Sequence, residues 1–137
     1  LNDNLLAKTS QSNSKDQPAT MSTYFKLLHD AHQKGQGIAS LSNMRQLGIA
    51  IGLYTQAHNG AFPDQLDQVR PFINSFDQLM INLRTQDNPG FIYEKPKVSS
   101  NQLHLLSTTP ILFESFQGSK DPHGAVLYAD GHIVTSR

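Results

Sequence analysis

His123-Gly-Ala-Val-Leu-Tyr-Ala-Asp-Gly-His-Ile-Val-Thr-Ser-Arg137 closes the chain, and the reading of this stretch decides the fold. Two short apolar runs, residues 125–129 and 132–135, flank Asp130-Gly131. An Asp-Gly pair between β-prone runs is the strongest short hairpin signal. Glycine takes a positive φ without steric cost, and aspartate tolerates that region better than most residues. Read as a two-residue loop, the pair sets Ala129 opposite His132, Tyr128 opposite Ile133 and Leu127 opposite Val134. Both faces of the hairpin then carry apolar groups, which predicts partial burial on both sides.

Working outward, a helix precedes this hairpin. Leu41, Met44, Leu47, Ile51 and Tyr54 step by three, three, four and three, with Ile38 leading into them. That is the stripe of an amphipathic helix packed on one side. Gly48 and Gly52 interrupt it at about 1 kcal/mol each relative to alanine. Such a pair points to close approach of another backbone, such as a strand crossing the helix. Asn59-Gly60 supplies the helix stop, and Phe62-Pro63 an extended exit. Further upstream, Tyr24, Leu27, Leu28 and Ala31 share a face of a helix expected over 21–34, with start signals at Pro18, Thr20 and Ser22. Gly35 and Gly37 mark either its end or a weak point in one longer helix.

Between the long helix and the final hairpin, residues 64–84 read as loop with one or two short helices. Leu66, Val69, Phe72 and Ile73 form one apolar set; Phe76, Leu79, Met80 and Leu83 form another. Pro71 is expected at a helix start. Gln86-Asp-Asn-Pro-Gly90 is a turn. Strands are expected at 91–94, 103–107 and 111–116, with 95–102 and 118–122 as connections. Phe91, Tyr93, Phe113 and Tyr128 fall on strands and are expected in the core. The layout is helix first, then an antiparallel meander: an α+β domain with a helix packed across a small antiparallel sheet ending in a β-hairpin.

Composition narrows the function. At 137 residues a single small domain is the default. Residues 1–20 are polar around Leu5-Leu6-Ala7 and read as tail or linker, leaving 21–137 as the domain. Lysine plus arginine and aspartate plus glutamate both number 11, so no net field draws the chain to nucleic acid or an anionic membrane. The basic residues are scattered, which argues against a stacking platform for single-stranded nucleic acid. Without cysteine, disulfides, thiolate zinc sites and cysteine nucleophiles are excluded. No window approaches the roughly 20 apolar residues of a membrane span, and the chain starts at Leu1 with no basic-then-apolar stretch that would read as a secretory signal. A leucine start suggests a processed or truncated product.

Few residues group as chemistry would require. His29 and His32 sit at i and i+3 on a helix, a spacing a metal can bridge, but no third ligand is nominated. His123, Asp130 and His132, with Asp121 near His123, are the better set, of a type that suits zinc or nickel. Asp130 reads first as a turn residue and His132 as cover for the sheet edge. Asp64 and Asp67 lie in a polar segment where nothing would push their pKa values apart. No nucleophile elbow, zincin motif, phosphate loop or dinucleotide fingerprint occurs.

Three stretches together carry a family resemblance. They are Leu41-Ser-Asn-Met-Arg-Gln-Leu-Gly48 running into His58-Asn-Gly-Ala-Phe-Pro63, then Thr109-Pro-Ile-Leu-Phe-Glu114, then the closing His-Gly…Tyr-Ala-Asp-Gly-His. In this order they resemble the pilin-like H-X9-DG proteins, bacterial relatives of type II secretion pseudopilins, over roughly residues 40–137. The resemblance implies a pilin-like fold and a non-enzymatic structural or assembly role at the periplasm or cell surface. It implies protein partners within an envelope or secretion assembly, no cofactor and no nucleic acid. Membrane contact would come only through an apolar helix upstream of Leu1. It makes Asn43, Gly60, Pro63, His123, Asp130, Gly131 and His132 structural residues. The rival readings are a small metal-binding module or metal-dependent enzyme built on His123, Asp130 and His132, and an accessory domain fused to another domain N-terminal to this chain.

Overall fold

The computed structural model describes residues 17–135. One helix, α1, spans Gln17–Ala57 without interruption. Gly35 and Gly37 do not end it, because neither takes the positive φ that would turn the chain away. Residues 17–20, inside the stretch expected to be tail, are helical. The chain forms two units, residues 1–35 and 36–137. In the first unit Leu27 and Ala31 are exposed, while the side chains of Tyr24 and Leu28 and all of residues 1–16 lie outside the described residues.

Within 36–137, Met44, Leu47, Ala50 and Ile51 are buried to 2% exposure or less, and Leu41 and Tyr54 pack beside them. The expected stripe is therefore the packed face. Ile38 is not part of it: 61% of its surface is exposed, while Ser40 is fully buried. Residues two apart on a helix point roughly 200° away from each other, so seating Ser40, Met44, Leu47 and Ile51 inward turns Ile38 out. Leu127 packs on Gly48, its Cδ2 only 3.0 Å from where a Cβ would stand, whereas nothing lies within 4 Å of that position at Gly52. The close approach expected of the pair is thus a strand side chain against Gly48 alone. The helix stops where Asn59 and Gly60 enter the left-handed region (φ 56° and 92°), and the Gly60 N–H donates to the Thr55 carbonyl at 2.8 Å.

A 3₁₀ helix, Leu66–Phe72, follows, and then the single turn α2, Phe76–Leu79. Pro71 lies inside the 3₁₀ helix instead of at its start. The start is set earlier by Gln68, whose Oε1 accepts the N–H groups of Asp64 (2.6 Å) and Gln65 (3.0 Å), a reciprocal cap. Leu66, Val69, Phe76 and Leu79 are buried; Leu83, expected with them, is 41% exposed.

The sheet comprises β1 Phe91–Tyr93, β2 Pro110–Phe116, β3 Ser119–Lys120, β4 Val126–Tyr128 and β5 Ile133–Val134, all antiparallel. Their order is β1-β2-β4-β5, with β3 paired to the far end of β2. The domain is α+β, as its sequence pattern predicts. Three local expectations change. The segment expected as a strand at 103–107 is a helical turn, α3, Leu103–Leu106. Gln102 Oε1 accepts the Ser99 N–H at 2.9 Å, and the Thr109 hydroxyl donates to the Leu105 carbonyl at 2.7 Å, closing both ends of the turn. The segment expected as a loop at 118–122 contains β3, joined to β2 by Gln117 and Gly118, both at positive φ (54° and 83°), the pattern of a type I′ hairpin.

The third change is the register of the closing hairpin. Leu127 pairs with Ile133 and Val126 with Val134, one residue from the expected pairing. The loop holds three residues, Ala129 to Gly131: the Gly131 N–H donates to the Tyr128 carbonyl at 2.8 Å, and the Tyr128 N–H to the His132 carbonyl at 2.9 Å. Only Gly131 is left-handed there, at φ 96°, the geometry of a turn closed by a glycine bulge. A one-residue slip exchanges the two faces of a strand. It sets Leu127 and Ile133 against the core and leaves Val126, Tyr128, His132 and Val134 on the other face, where Val134 is 47% exposed. Leu127 is fully buried on the core side, and Val126 and Tyr128 on the other face are partly buried, so burial on both sides holds at β4 while β5 leaves Val134 exposed. Phe91 is buried, whereas Tyr93, Phe113 and Tyr128 are only partly so.

Candidate functional site

Strand β2 carries a charge into the core. A one-residue register shift at Ile111 lets both Ile111 and Leu112 be buried. Glu114, two residues beyond Leu112, shares its face. Its side chain has no solvent exposure. A buried carboxylate persists only when its lone pairs are filled and its charge is paired, and every neighbouring element contributes. Oε1 accepts from the Ser40 hydroxyl on α1 (2.8 Å), the Asn82 amide (3.1 Å) and Arg84 Nε (3.0 Å); Oε2 accepts the Ala125 N–H at 2.7 Å.

The donors are themselves held. Asn82 Oδ1 accepts the N–H groups of Arg84 (3.0 Å) and Thr85 (3.1 Å), and its amide also donates to the Gly90 carbonyl at 3.1 Å. Arg84 reaches past Glu114 to bond Asp121 through its second nitrogen. Burial disfavours the charged form of both ions. The hydrogen bonds between them outweigh that cost, so the Arg84 pKa is raised and the Asp121 pKa lowered. Asp121 Oδ1 also accepts the His123 N–H at 2.9 Å. Two glycines make room. A Cβ on Gly90 would stand 2.4 Å from the Asn82 nitrogen, and one on Gly124 would stand 2.8 Å from Glu114 Cβ. Among the described residues no buried side-chain nitrogen or oxygen lacks a partner. The cluster joins α1, the 82–90 loop, β2 and the 121–125 loop at one point. A carboxylate with four donors and no solvent contact has no open side to present to a substrate.

The residues singled out from sequence sit elsewhere. Asn43 is half-buried and its amide donates to the Ile81 carbonyl at 3.3 Å. Gly60 ends α1. Pro63 is buried, and its carbonyl accepts the Tyr93 hydroxyl at 2.7 Å; burial, then the Asp64 charge, raise the Tyr93 pKa. Asp130 and His132 are brought together at the exposed hairpin: Asp130 Oδ1 meets His132 Nδ1 at 2.5 Å and accepts the His132 N–H at 3.1 Å. The His132 ring stacks on Tyr128, centroids 4.6 Å apart. His123 is exposed and tied through its backbone to Asp121. Among the described residues no three histidine, aspartate or glutamate side chains converge as metal ligands. His32 is exposed, and the side chain of His29 lies outside the described residues. Asp64 pairs with Lys95 and Asp67 with Arg70, all exposed to solvent.

The sequence pattern pointed to neither Ser40, Asn82, Arg84 nor Glu114. One signal was present: Glu114 follows an apolar run at the same parity as Leu112, an inward charge that requires partners. No helix among the described residues is long and apolar enough to cross a membrane. The chain matches no family model, no curated protein and no solved structure.

Proposed function

We propose that this chain is a non-enzymatic structural domain of a bacterial envelope protein, pilin-like in fold and related to the type II secretion pseudopilins. The observation that carries this reading is the arrangement of α1. One face of the helix rests on a small antiparallel sheet that ends in the Asp-Gly hairpin. The same helix extends upstream to Gln17 as a continuous element. The most elaborate polar cluster supports it too, because it serves to join elements and is closed to solvent. Its expected partners are proteins of the same assembly, and its expected location is the periplasm or cell surface.

The test uses the product of the complete gene carrying Ile38→Cys on the exposed side of α1. After cell fractionation and treatment with a bifunctional thiol cross-linker, a ladder of multimers in the envelope fraction is the expected result. A monomer confined to the cytosolic fraction would overturn the reading.

A further inference from the structure

Strand parity divides the sheet into two faces. Glu114 points to α1, where Ser40 meets it, so Ser115 points to the opposite face. On that side an open pocket of about 360 Å³ lies between the 82–90 loop and the β2–β3 turn. Pro89 and Ile92 give it an apolar part, and Asp87 is its one charged lining residue. The Asp87 carboxylate is held in place. Its Oδ2 accepts the hydroxyl of Ser115 (2.6 Å), a residue only 2% exposed, and the Gly118 N–H (3.0 Å). These bonds keep its carboxyl below the usual carboxylate range, so it is ionised at neutral pH. Both donors are neutral, and they orient the charge without cancelling it. The cations of adjoining elements are committed elsewhere. Lys120, paired across the strands with Ser115, meets Glu94 at 2.5 Å and lies over the Phe113 ring. Arg84 serves Glu114 and Asp121. Asp87 itself has no ion pair among the described residues, so the lining carries a negative charge that no resident cation balances. Gln86, also in the lining, donates its Nε2 to the Leu83 carbonyl at 2.8 Å, and its amide oxygen remains as an acceptor.

We propose that this pocket receives a lysine side chain of a protein partner. The alkyl stem lies against Pro89 and Ile92 and the ammonium meets Asp87, the fit that long basic side chains make with a surface part apolar and part charged. The sign of the lining selects a cation: an acidic segment would set like charges together, and a neutral one would leave Asp87 unpaired. Lysine suits the site better than arginine because Oδ2 already holds two donors. A guanidinium fork spanning both carboxylate oxygens would compete with Ser115 and Gly118, whereas an ammonium is a point charge that needs one oxygen. The proposal does not depend on where in the cell the protein resides or on its membership of the pilin-like class, so the two can fail separately.

The probe is Nα-acetyl-lysine methylamide, titrated at constant ionic strength into the ¹⁵N-labelled chain and followed by amide chemical shifts. Saturable shifts confined to amides within 86–92 and 115–118 are expected, with half-saturation in the millimolar range. The norleucine derivative, which keeps the stem and lacks the charge, and the arginine derivative should each bind about two- to fivefold more weakly or worse, as for loss of one exposed ion pair. Asp87→Asn keeps an acceptor for Ser115 and Gly118 and should weaken the lysine probe by about the same factor. Asn88→Asp is the decisive variant. Asn88 lines the pocket, is exposed and makes no hydrogen bond among the described residues, so the fold persists. The second carboxylate should tighten the lysine probe about two- to fivefold and leave the norleucine derivative unchanged. The proposal is overturned if no saturable shift occurs below about 0.1 M probe or if the shifts map elsewhere. It is equally overturned if the norleucine or arginine derivative binds as well as lysine, or if either variant, still folded, binds the lysine probe as the parent does. Tighter binding of n-butylammonium than of the lysine probe would assign the pocket to a free amine. Shifts at 86–92 produced by protein concentration alone would make a second copy of this chain the lysine donor. Each of these also overturns the proposal.

Discussion

Glu114 and Asp130 are both carboxylates that meet a nitrogen cation or potential cation, yet their surroundings assign them opposite weights. Glu114 is sealed among Ser40, Asn82, Arg84 and Ala125. Asp130 touches His132 at the edge of the sheet, where both side chains remain more than a third exposed. A pair in water gains little beyond what hydration already supplied, and the median surface ion pair is worth roughly 0–1 kcal/mol. A buried pair behaves otherwise: removing one partner leaves the other charged and dry. The more visible motif, Asp-Gly-His, is thus the less consequential one for stability, and the carboxylate hidden in an apolar run is the critical one.

The largest expected effect is at the buried end of this comparison. Glu114→Ala leaves the buried Ser40 hydroxyl, Asn82 amide and Ala125 N–H without their acceptor and Arg84 with Asp121 as its one remaining carboxylate, so it should cost about 3–5 kcal/mol. Urea unfolding measures this. A loss below about 1 kcal/mol would show that water fills the site, and the comparison would collapse. Glu114→Gln retains the shape and one acceptor oxygen, which can still take the three bonds made to Oε1, but removes the charge and sets an NH2 against the Ala125 N–H, and should fall between the parent and the alanine variant.

Acid should act through the same cluster. The pKa of Asp121 is lowered in the fold, the bonds from Arg84 and His123 overcoming the opposing effect of burial. A carboxylate of depressed folded pKa contributes stability that is complete above its unfolded value, near 4, and is lost as pH falls through the folded value. Melting temperature followed below about pH 4 should therefore drop less in Asp121→Asn than in the parent, starting from a lower plateau. Parallel curves for the two proteins would remove Asp121 from the network.

At the exposed end, Gly131→Val should cost about 1–2 kcal/mol, since a β-branched residue resists the left-handed region at φ 96°. Asp130→Asn is the smallest effect, within about half a kcal/mol, because the Asn Oδ1 still accepts the His132 N–H and only an exposed ion pair is lost. A loss from Asp130→Asn comparable to that from Glu114→Ala would mean that the hairpin pair carries more than a surface contact.

Much of this architecture could be read from residue pattern alone. The stripe from Met44 through Ile51, the stop at Asn59-Gly60, the turn before Phe91 and the existence of a closing hairpin all rest on local periodicity and on residues with special backbone freedom. Two hairpin loops show where such reading stops. Asp130-Gly131 looked like a two-residue loop and is part of a three-residue one, whereas Gln117-Gly118 looked like plain connection and is the tight turn. The turn residues were recognisable, but loop length follows from register, and register follows from which side chains the helix covers. Putting Leu127 under Gly48 selected the pairing with Ile133.

What the sequence by itself determined is therefore the kind and order of elements: a long helix with one apolar face, then short strands punctuated by Gly, Asn and Pro. Only the tertiary structure decided the register of the last hairpin, the inward turn of Ser40 over Ile38, and the meeting of Asn82, Arg84, Glu114 and Asp121. Periodicity is a property of neighbours along the chain. The Glu114 cluster joins residues as much as 74 positions apart, and its cause is the cost of a dry charge, which arises only once the surrounding elements have closed over it.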